Sequence, residues 1–145
     1  MTDIKIMQIP IPMLVDMAPH VGPYLARGLP GSGRKEVELS IDILRDHAQV
    51  WAIFEDGKVV GAFLTAIVIQ EDDGSRCLDI FGLSGDGAPK WGTALSDRMA
   101  EYAKANDCKR FVFDGKYGWL RACGHTVEVA GRKNARTVIF ERRVA

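Results

Sequence analysis

The sequence has no excess of charge in either direction: nineteen lysines and arginines balance nineteen aspartates and glutamates. Without an overall field, nothing draws the chain to nucleic acid or to an anionic membrane, and any anion site must be local. Long apolar runs are missing too. No stretch could span a bilayer, and Met1 to Ile9 mixes Asp3 and Lys5 with apolar residues instead of forming the apolar stretch of a secretion signal. The expected setting is the cytoplasm, or a particle assembled there, with no membrane partner. Cysteine is sparse: Cys77, Cys108 and Cys123 lie far apart with no C-x-x-C spacing. Three cysteines cannot all pair, so they read as buried reduced thiols and not as a disulfide framework or a metal cluster. His20, His47 and His125 fall on different elements without ligand spacing, so no metal is expected. Ser84 and Ser96 lack a nucleophile-elbow context, which argues against hydrolase chemistry. Internal repeats and low-complexity segments are absent.

What remains is an ordinary globular balance, 47% hydrophobic and 26% charged over 145 residues. That suits one domain, 1–145, burying roughly two thirds of the surface its unfolded form exposes.

The first third reads as broken helix, Met13 to Met17 and then Val21 to Gly28, interrupted by Pro19, Gly22 and Pro23 and closed by the turn Gly28 to Gly33. Such a segment is not expected to form one straight helix. Val37, Ile41 and Leu44 recur at helical spacing, with Ser40 as a cap for a short helix reaching about His47. From Val50 the pattern turns to strand. Val50–Phe54 and Val59–Ile69 flank Glu55-Asp56-Gly57-Lys58, and Asp-Gly supplies the positive φ angles of a tight hairpin. Glu71 to Gly74 marks another turn, and a third strand from about Arg76 to Leu83 completes a meander.

Gly82 to Pro89 is a loop, and Pro89 suits the first turn of a helix, where its missing N–H would have had no partner. Trp91, Leu95, Met99 and Tyr102 then follow at intervals of four, four and three, predicting one amphipathic helix ending near Asn106. Lys109 to Asp114 is the next strand, and the strand, helix, strand order implies a right-handed crossover with parallel neighbours. A short helix at Tyr117 to Cys123 and strands at about Thr126 to Ala130 and Arg136 to Arg142 complete the chain. The predicted class is α/β (α+β), a mixed, mainly antiparallel central sheet of about six strands flanked by helices.

That order of elements resembles the GNAT (acyl-CoA N-acetyltransferase) superfamily over nearly the whole chain. Glu55-Asp56-Gly57-Lys58-Val59-Val60-Gly61 is similar to a phrase common in the family's second and third strands. Phe113-Asp114-Gly115-Lys116-Tyr117-Gly118-Trp119-Leu120-Arg121, with Gly124 closing the short helix, is similar to a signature of GNAT-like proteins of tailed phages, in which Trp51 and Trp91 also have counterparts.

The resemblance implies acetyl-CoA as co-substrate, its pyrophosphate held by backbone N–H groups between the fourth strand and the long helix, where orphan donors and the helix dipole favour an anion. Gly85, Asp86, Gly87, Ala88 and Lys90 occupy that turn. They depart from the family pattern: Asp86 brings a negative charge and Pro89 removes a donor. For proton transfer to and from an amine acceptor, small molecule or protein, Asp79 is the candidate base and Tyr117 the candidate acid, because the family's usual tyrosine position is Leu120 here. The basic tail, Arg132, Lys133, Arg136, Arg142 and Arg143, reads as a solvated face with Arg136 and Arg142 on one side of the last strand. Two functions stay open: an acyl-CoA-dependent N-acetyltransferase, or a GNAT-shaped binding or assembly protein, in a phage particle or against a host factor.

Overall fold

The computed structural model describes residues 2–144. Seven strands, β1 (Ile4–Gln8), β2 (Gln49–Glu55), β3 (Lys58–Ile69), β4 (Arg76–Gly85), β5 (Cys108–Gly115), β6 (Glu128–Arg132) and β7 (Val138–Arg143), combine with helices α1 (Leu14–Gly28), α2 (Glu36–Leu44), α3 (Ala88–Ala105) and α4 (Gly118–Ala122). The strands form one mostly antiparallel sheet in the order β1-β2-β3-β4-β5-β7-β6, with β4 and β5 parallel. The predicted fold class holds, with seven strands where about six were expected. The additional one is β1, paired with β2 from Ile4↔Glu55 to Gln8↔Trp51. Only its Ile6 is buried, so its alternation carries almost no apolar signal.

By its contacts the chain divides into two compact units, one running to Ala66 and including Ile80–Asp86, the other made of Ile67–Asp79 and Gly87 onward. In the first, β2 and β3 form the expected hairpin, with Asp56 at φ 50° and Gly57 at φ 80°, the left-handed pair that a two-residue turn needs to match strand twist. Val50, Ala52, Ala62, Leu64 and Phe81 form the sheet side of a core closed by Val21 of α1 and Leu39 of α2. Trp51 and Phe63 stack, 5.7 Å between centroids. The Trp51 indole donates to Thr65 Oγ1 at 2.9 Å, and that hydroxyl donates to Gln49 Oε1 at 2.9 Å, so the buried polar atoms all have partners.

The helical reading of this unit needs three corrections. Residues 14–28 are one continuous helix despite Pro19 and Pro23. The two prolines are four apart, hence on one stripe, and both are exposed; the carbonyls they leave without donors face water, while the opposite stripe, with Met17, Val21 and Tyr24, packs on the core. Tertiary packing holds this helix where propensity would not. In α2 the cap is Lys35, and Ser40 lies inside, its hydroxyl donating back to the Glu36 carbonyl at 3.0 Å. The helix stops at Leu44, before His47, and its periodic residues Val37, Ile41 and Leu44 point outward, leaving Leu39 as the buried one.

In the second unit α3 buries Trp91, Leu95, Met99 and Ala103 along one stripe, as its spacing predicts. Trp119 of α4 lies 5.7 Å from Trp91 and meets Phe113 edge-on at 6.0 Å, and Phe113 stacks on Phe140 at 5.1 Å. The parallel crossover is present, with β4 and β5 paired from Arg76↔Cys108 to Asp79↔Val112 and a register shift between Arg76 and Cys77. The three cysteines are buried free thiols. Arg136 lies in the connection before β7, so it does not share a strand face with Arg142. Among the described residues no helix is long and apolar enough to cross a membrane.

Candidate functional site

Strand β4 ends at Gly85 and α3 begins at Ala88, so Asp86 and Gly87 alone make the strand-to-helix connection. Gly87 is the residue before the helix and sits at φ 73°, ψ 34°, a left-handed conformation that glycine adopts without penalty. The donors at this turn can be followed one by one. The Asp86 N–H donates to the Val60 carbonyl at 2.8 Å, the Lys90 N–H to the Gly87 carbonyl at 2.9 Å, and Pro89 has no N–H. Gly87 and Ala88 are left with N–H groups that have no partner among the described residues. Two orphan donors at the positive end of an 18-residue helix suit one anionic oxygen or a pair of them. The space over Gly87 is open apart from Lys90, whose Cδ would lie 3.8 Å from a Cβ placed there, so the ammonium stem flanks the same turn.

The negative charge of Asp86 is engaged by α1. Tyr24 Oη donates to Asp86 Oδ2 at 3.2 Å, Arg27 Nη2 reaches Oδ1 at 3.4 Å, and Arg27 Nε donates to Ser84 Oγ at 3.0 Å. The Arg27 guanidinium also lies 5.0 Å from the Tyr24 ring centroid. Partial burial, followed by the Asp86 charge and hydrogen bond, pushes the Tyr24 hydroxyl above its ordinary 10.0. Both charged groups are mostly exposed, so the ion pair contributes at most about 1 kcal/mol to stability; its effect is to direct the carboxylate toward α1. Tyr24 and Arg27 are site residues that the sequence reading missed. Their i, i+3 spacing puts them on one helix face, but nothing local links that face to Asp86, 59 residues beyond Arg27.

Asp79 is half-buried on β4, opposite Val112 in the last β4–β5 pair of the register. Tyr117 precedes α4, is 55% exposed, and its carbonyl accepts the Leu120 N–H at 3.0 Å. From the level of Val112 to Gly115, the end of β5, is about 10 Å of strand, and Tyr117 lies two residues further on. The two candidate proton carriers are therefore not brought together, whereas Gly85, Asp86, Gly87, Ala88 and Lys90 are adjacent at one helix start.

A further cavity of about 400 Å³ opens between α1 and α2, lined by Leu25, Ala26, Leu29, Pro30, Arg34, Glu36 and Leu39. Its walls are mainly aliphatic, with one cation and one carboxylate at the rim. Leu29 reaches β4 at Gly82, where an added Cβ would meet its Cδ2 at 2.9 Å. The Arg34 guanidinium lies 3.8 Å from the Phe81 ring centroid, a cation–π contact that fixes its plane.

No protein-family profile and no curated protein matches the sequence. Solved structures do match the fold. An acetyltransferase of the GNAT family from Streptococcus pneumoniae superposes with a TM-score of 0.66 at 13% identity, covering 99% of this chain and 100% of that one. FeeM, an N-acyl amino acid synthase from uncultured soil microbes, gives 0.65 at 9% identity over 99% and 92%. A predicted acetyltransferase from Clostridium acetobutylicum, solved with acetyl-CoA, gives 0.59 at 9% over 85% and 88%. At these identities the likeness establishes the fold alone: the chain has the architecture of GNAT-family acetyltransferases.

Proposed function

We propose that the chain transfers an acyl group from an acyl-CoA, acetyl-CoA in the simplest case, to an amine. The observation that carries this reading is the Gly87–Ala88 pair of unpartnered amides at the start of α3, immediately after a sheet strand. Acetyl-CoA supplies a thioester whose carbonyl carbon is open to attack by an uncharged amine. On this reading the Gly87 and Ala88 N–H groups and the Lys90 ammonium hold pyrophosphate oxygens, and Gly85 keeps the approach open. Asp79 takes the ammonium proton of the acceptor through water, because its carboxylate is half-buried on the strand that leads to the turn. Tyr117 is the provisional acid for the departing thiolate, and its separation from Asp79 is the weakest point of this pairing.

A second reading has its own observation. The turn offers two amides, one of its residues is a carboxylate, and Pro89 gives nothing, which suits a fold that keeps its shape while serving as a binding or assembly protein, in a phage particle or against a host factor.

Calorimetric titration with acetyl-CoA separates the two. Saturable heat in the wild type that is lost in Gly87→Glu, with the variant's thermal unfolding checked alongside, supports transfer. Absence of binding in the wild type, or heat unchanged in the variant, removes the turn from any coenzyme site and leaves the binding-protein reading.

A further inference from the structure

The β3–β4 turn, the start of β5 and the end of β7 enclose a hollow of about 330 Å³, near the lower end of the roughly 300–1,000 Å³ of small-molecule pockets. It lies at the far end of α3 from Gly87, about 27 Å along that 18-residue helix. Every residue that lines it is polar, and one wall is cationic. Arg110 and Arg143 are direct cross-strand partners in the β5–β7 pair, and Lys109 lines the hollow with them. Like charges that meet across two strands cost stability, and here only one of them is well neutralised. Arg110 Nη1 donates to Glu141 Oε2 at 2.6 Å and Nη2 to Gln70 Oε1 at 3.4 Å, whereas Arg143 Nε stays 4.0 Å from Glu141 Oε1. Lys109 has no ion-pair partner among the described residues. Elsewhere in the basic tail the charges are matched: Lys133 meets Asp114 at 2.6 Å and Arg142 meets Asp97 at 2.8 Å.

The other wall is the β3–β4 turn, closed by the Gln70 N–H on the Ser75 carbonyl at 2.8 Å and the Gly74 N–H on the Gln70 carbonyl at 2.9 Å. It carries Asp72 and Asp73. Asp72 Oδ1 accepts the Asp73 N–H and Asp73 Oδ1 accepts the Ser75 N–H, both at 2.9 Å, so each carboxylate is oriented through one oxygen and keeps the other available. Hydrogen bonding from Ser75 also holds the Asp73 carboxyl below its ordinary value, with Lys109 acting weakly in the same direction. Yet neither aspartate closes an ion pair with the cationic wall among the described residues. Charges of opposite sign therefore stand apart across the hollow without neutralising each other. A plain anion entering it would meet Asp72 and Asp73, and a plain cation would meet Lys109 and Arg143. A molecule that carries both charges can set each against its complement.

We propose that this hollow binds a small zwitterion, an α-amino acid with a polar side chain, its carboxylate on Arg143 and Lys109 and its ammonium on the available oxygens of Asp72 and Asp73. A guanidinium presents the planar fork that matches a carboxylate, and the lysine adds a compact charge beside it. Arg110, already tied to Glu141 and Gln70, holds the cationic wall in place. Gln70 and Ser75, the neutral residues of the lining, set the preference for a polar side chain. The site is independent of the acyl-transfer reading and of the turn at the start of α3.

Titration of the full chain with L-serine, glycine and L-glutamine, followed in two-dimensional amide spectra, tests this. Saturable shifts are expected at 70–75, 109–110 and 143, with a dissociation constant for L-serine of about 1 mM or tighter. 3-Hydroxypropionate, which lacks the ammonium, and ethanolamine, which lacks the carboxylate, should each bind at least about tenfold more weakly than L-serine. Arg143→Ala and Asp72→Asn should weaken L-serine by a similar factor, since each removes a contact between charged groups. Both side chains are exposed, so the variants should keep the circular dichroism and thermal midpoint of the wild type. Absence of saturable shifts with all three amino acids, shifts confined to other residues, or variants that bind as the wild type does would each overturn the proposal. So would 3-hydroxypropionate binding as tightly as L-serine, which would make the hollow a simple anion site.

Discussion

Gly28 at the end of α1 and Gly82 on β4 approach so closely that a Cβ on Gly28 would lie 2.1 Å from the Gly82 carbonyl oxygen and 2.5 Å from its carbon. Both obstructing atoms are backbone, so no rotamer change relieves them; helix and strand must separate. Gly28→Ala should therefore destabilise the chain by about 1–3 kcal/mol, the range for overpacking a filled interior. Chemical denaturation should show a lower midpoint with little change in slope. Gly22→Ala, on the same helix with nothing within 4 Å of its added Cβ, is the control and should be neutral or stabilising, because alanine favours helix over glycine.

The close approach also places Tyr24 and Arg27 against Asp86, which leads to an unusual sign for a binding-turn residue. Asp86→Asn removes a negative charge beside the α3 start and releases the Arg27 charge from its carboxylate partner, and both changes favour an incoming anion. Stability should change by less than about 1 kcal/mol, as for other exposed pairs. Affinity for acetyl-CoA should rise several-fold at low salt and return toward the wild-type value as salt screens the field. Weaker binding in Asp86→Asn under calorimetric titration would argue that the pyrophosphate does not lie at this turn.

How far the sequence foretold this arrangement depended on whether the signal was local. The β2–β3 hairpin, the Pro89-led helix α3 with its Trp91, Leu95, Met99 stripe, and the parallel β4–β5 crossover were legible because turn chemistry and periodicity are written in neighbouring residues. So was a strand-to-helix junction in this stretch, but the loop expected from Gly82 to Pro89 is only Asp86 and Gly87, because β4 runs on to Gly85 and α3 already begins at Ala88. Helix α1 was not, because Pro19 and Pro23 argue against it locally and only their shared solvent-facing stripe, set by packing, makes it acceptable. The direction of α2 was misleading for the opposite reason: Val37, Ile41 and Leu44 are the residues that periodicity assigns to a core, and they lie outside. At the site, the hold of Arg27 and Tyr24 on Asp86 joins residues about sixty positions apart, which no spacing rule reports.

A buried hydroxyl relay ties α3 to the last third of the chain. Arg142 Nη1 donates to Ser96 Oγ at 2.9 Å, the Ser96 and Thr126 hydroxyls are 2.6 Å apart, and the Thr126 hydroxyl donates to the Cys123 carbonyl at 2.6 Å. Each hydroxyl has one proton, so with Thr126 donating to Cys123, Ser96 must donate to Thr126 while accepting from Arg142. Ser96 is only 2% exposed, and water cannot readily replace it. Ser96→Ala and Thr126→Val should each cost about 1–3 kcal/mol by leaving a buried partner unsatisfied. The double variant should cost clearly less than their sum, since the second change removes a group the first had already stranded. Additive losses in a double-mutant cycle of urea unfolding would show that the two hydroxyls act independently.

Beside that relay, burial pushes the Cys123 thiol from its ordinary 9.0 up to about 11, with Arg142 acting weakly in the opposite direction. The fold favours the neutral thiol, so this contribution to stability is fully present below pH 9, where folded and unfolded chains are both protonated. It declines once the unfolded thiol ionises and is lost as pH rises through about 11. A proton bound in the folded chain and absent from the unfolded one weakens folding by about 1.4 kcal/mol for every tenfold fall in proton concentration, so the loss across that window approaches about 3 kcal/mol. Cys77 and Cys108 are raised by burial as well, and Tyr24 in the same sense, so the wild type alone cannot isolate the effect. Cys123→Ala should be less stable than the wild type near neutrality, from the small cavity it leaves, and the difference should narrow between about pH 9 and 11. Urea unfolding of both proteins across that range decides the matter: parallel curves would mean that the Cys123 thiol ionises in the folded chain as readily as in the unfolded one.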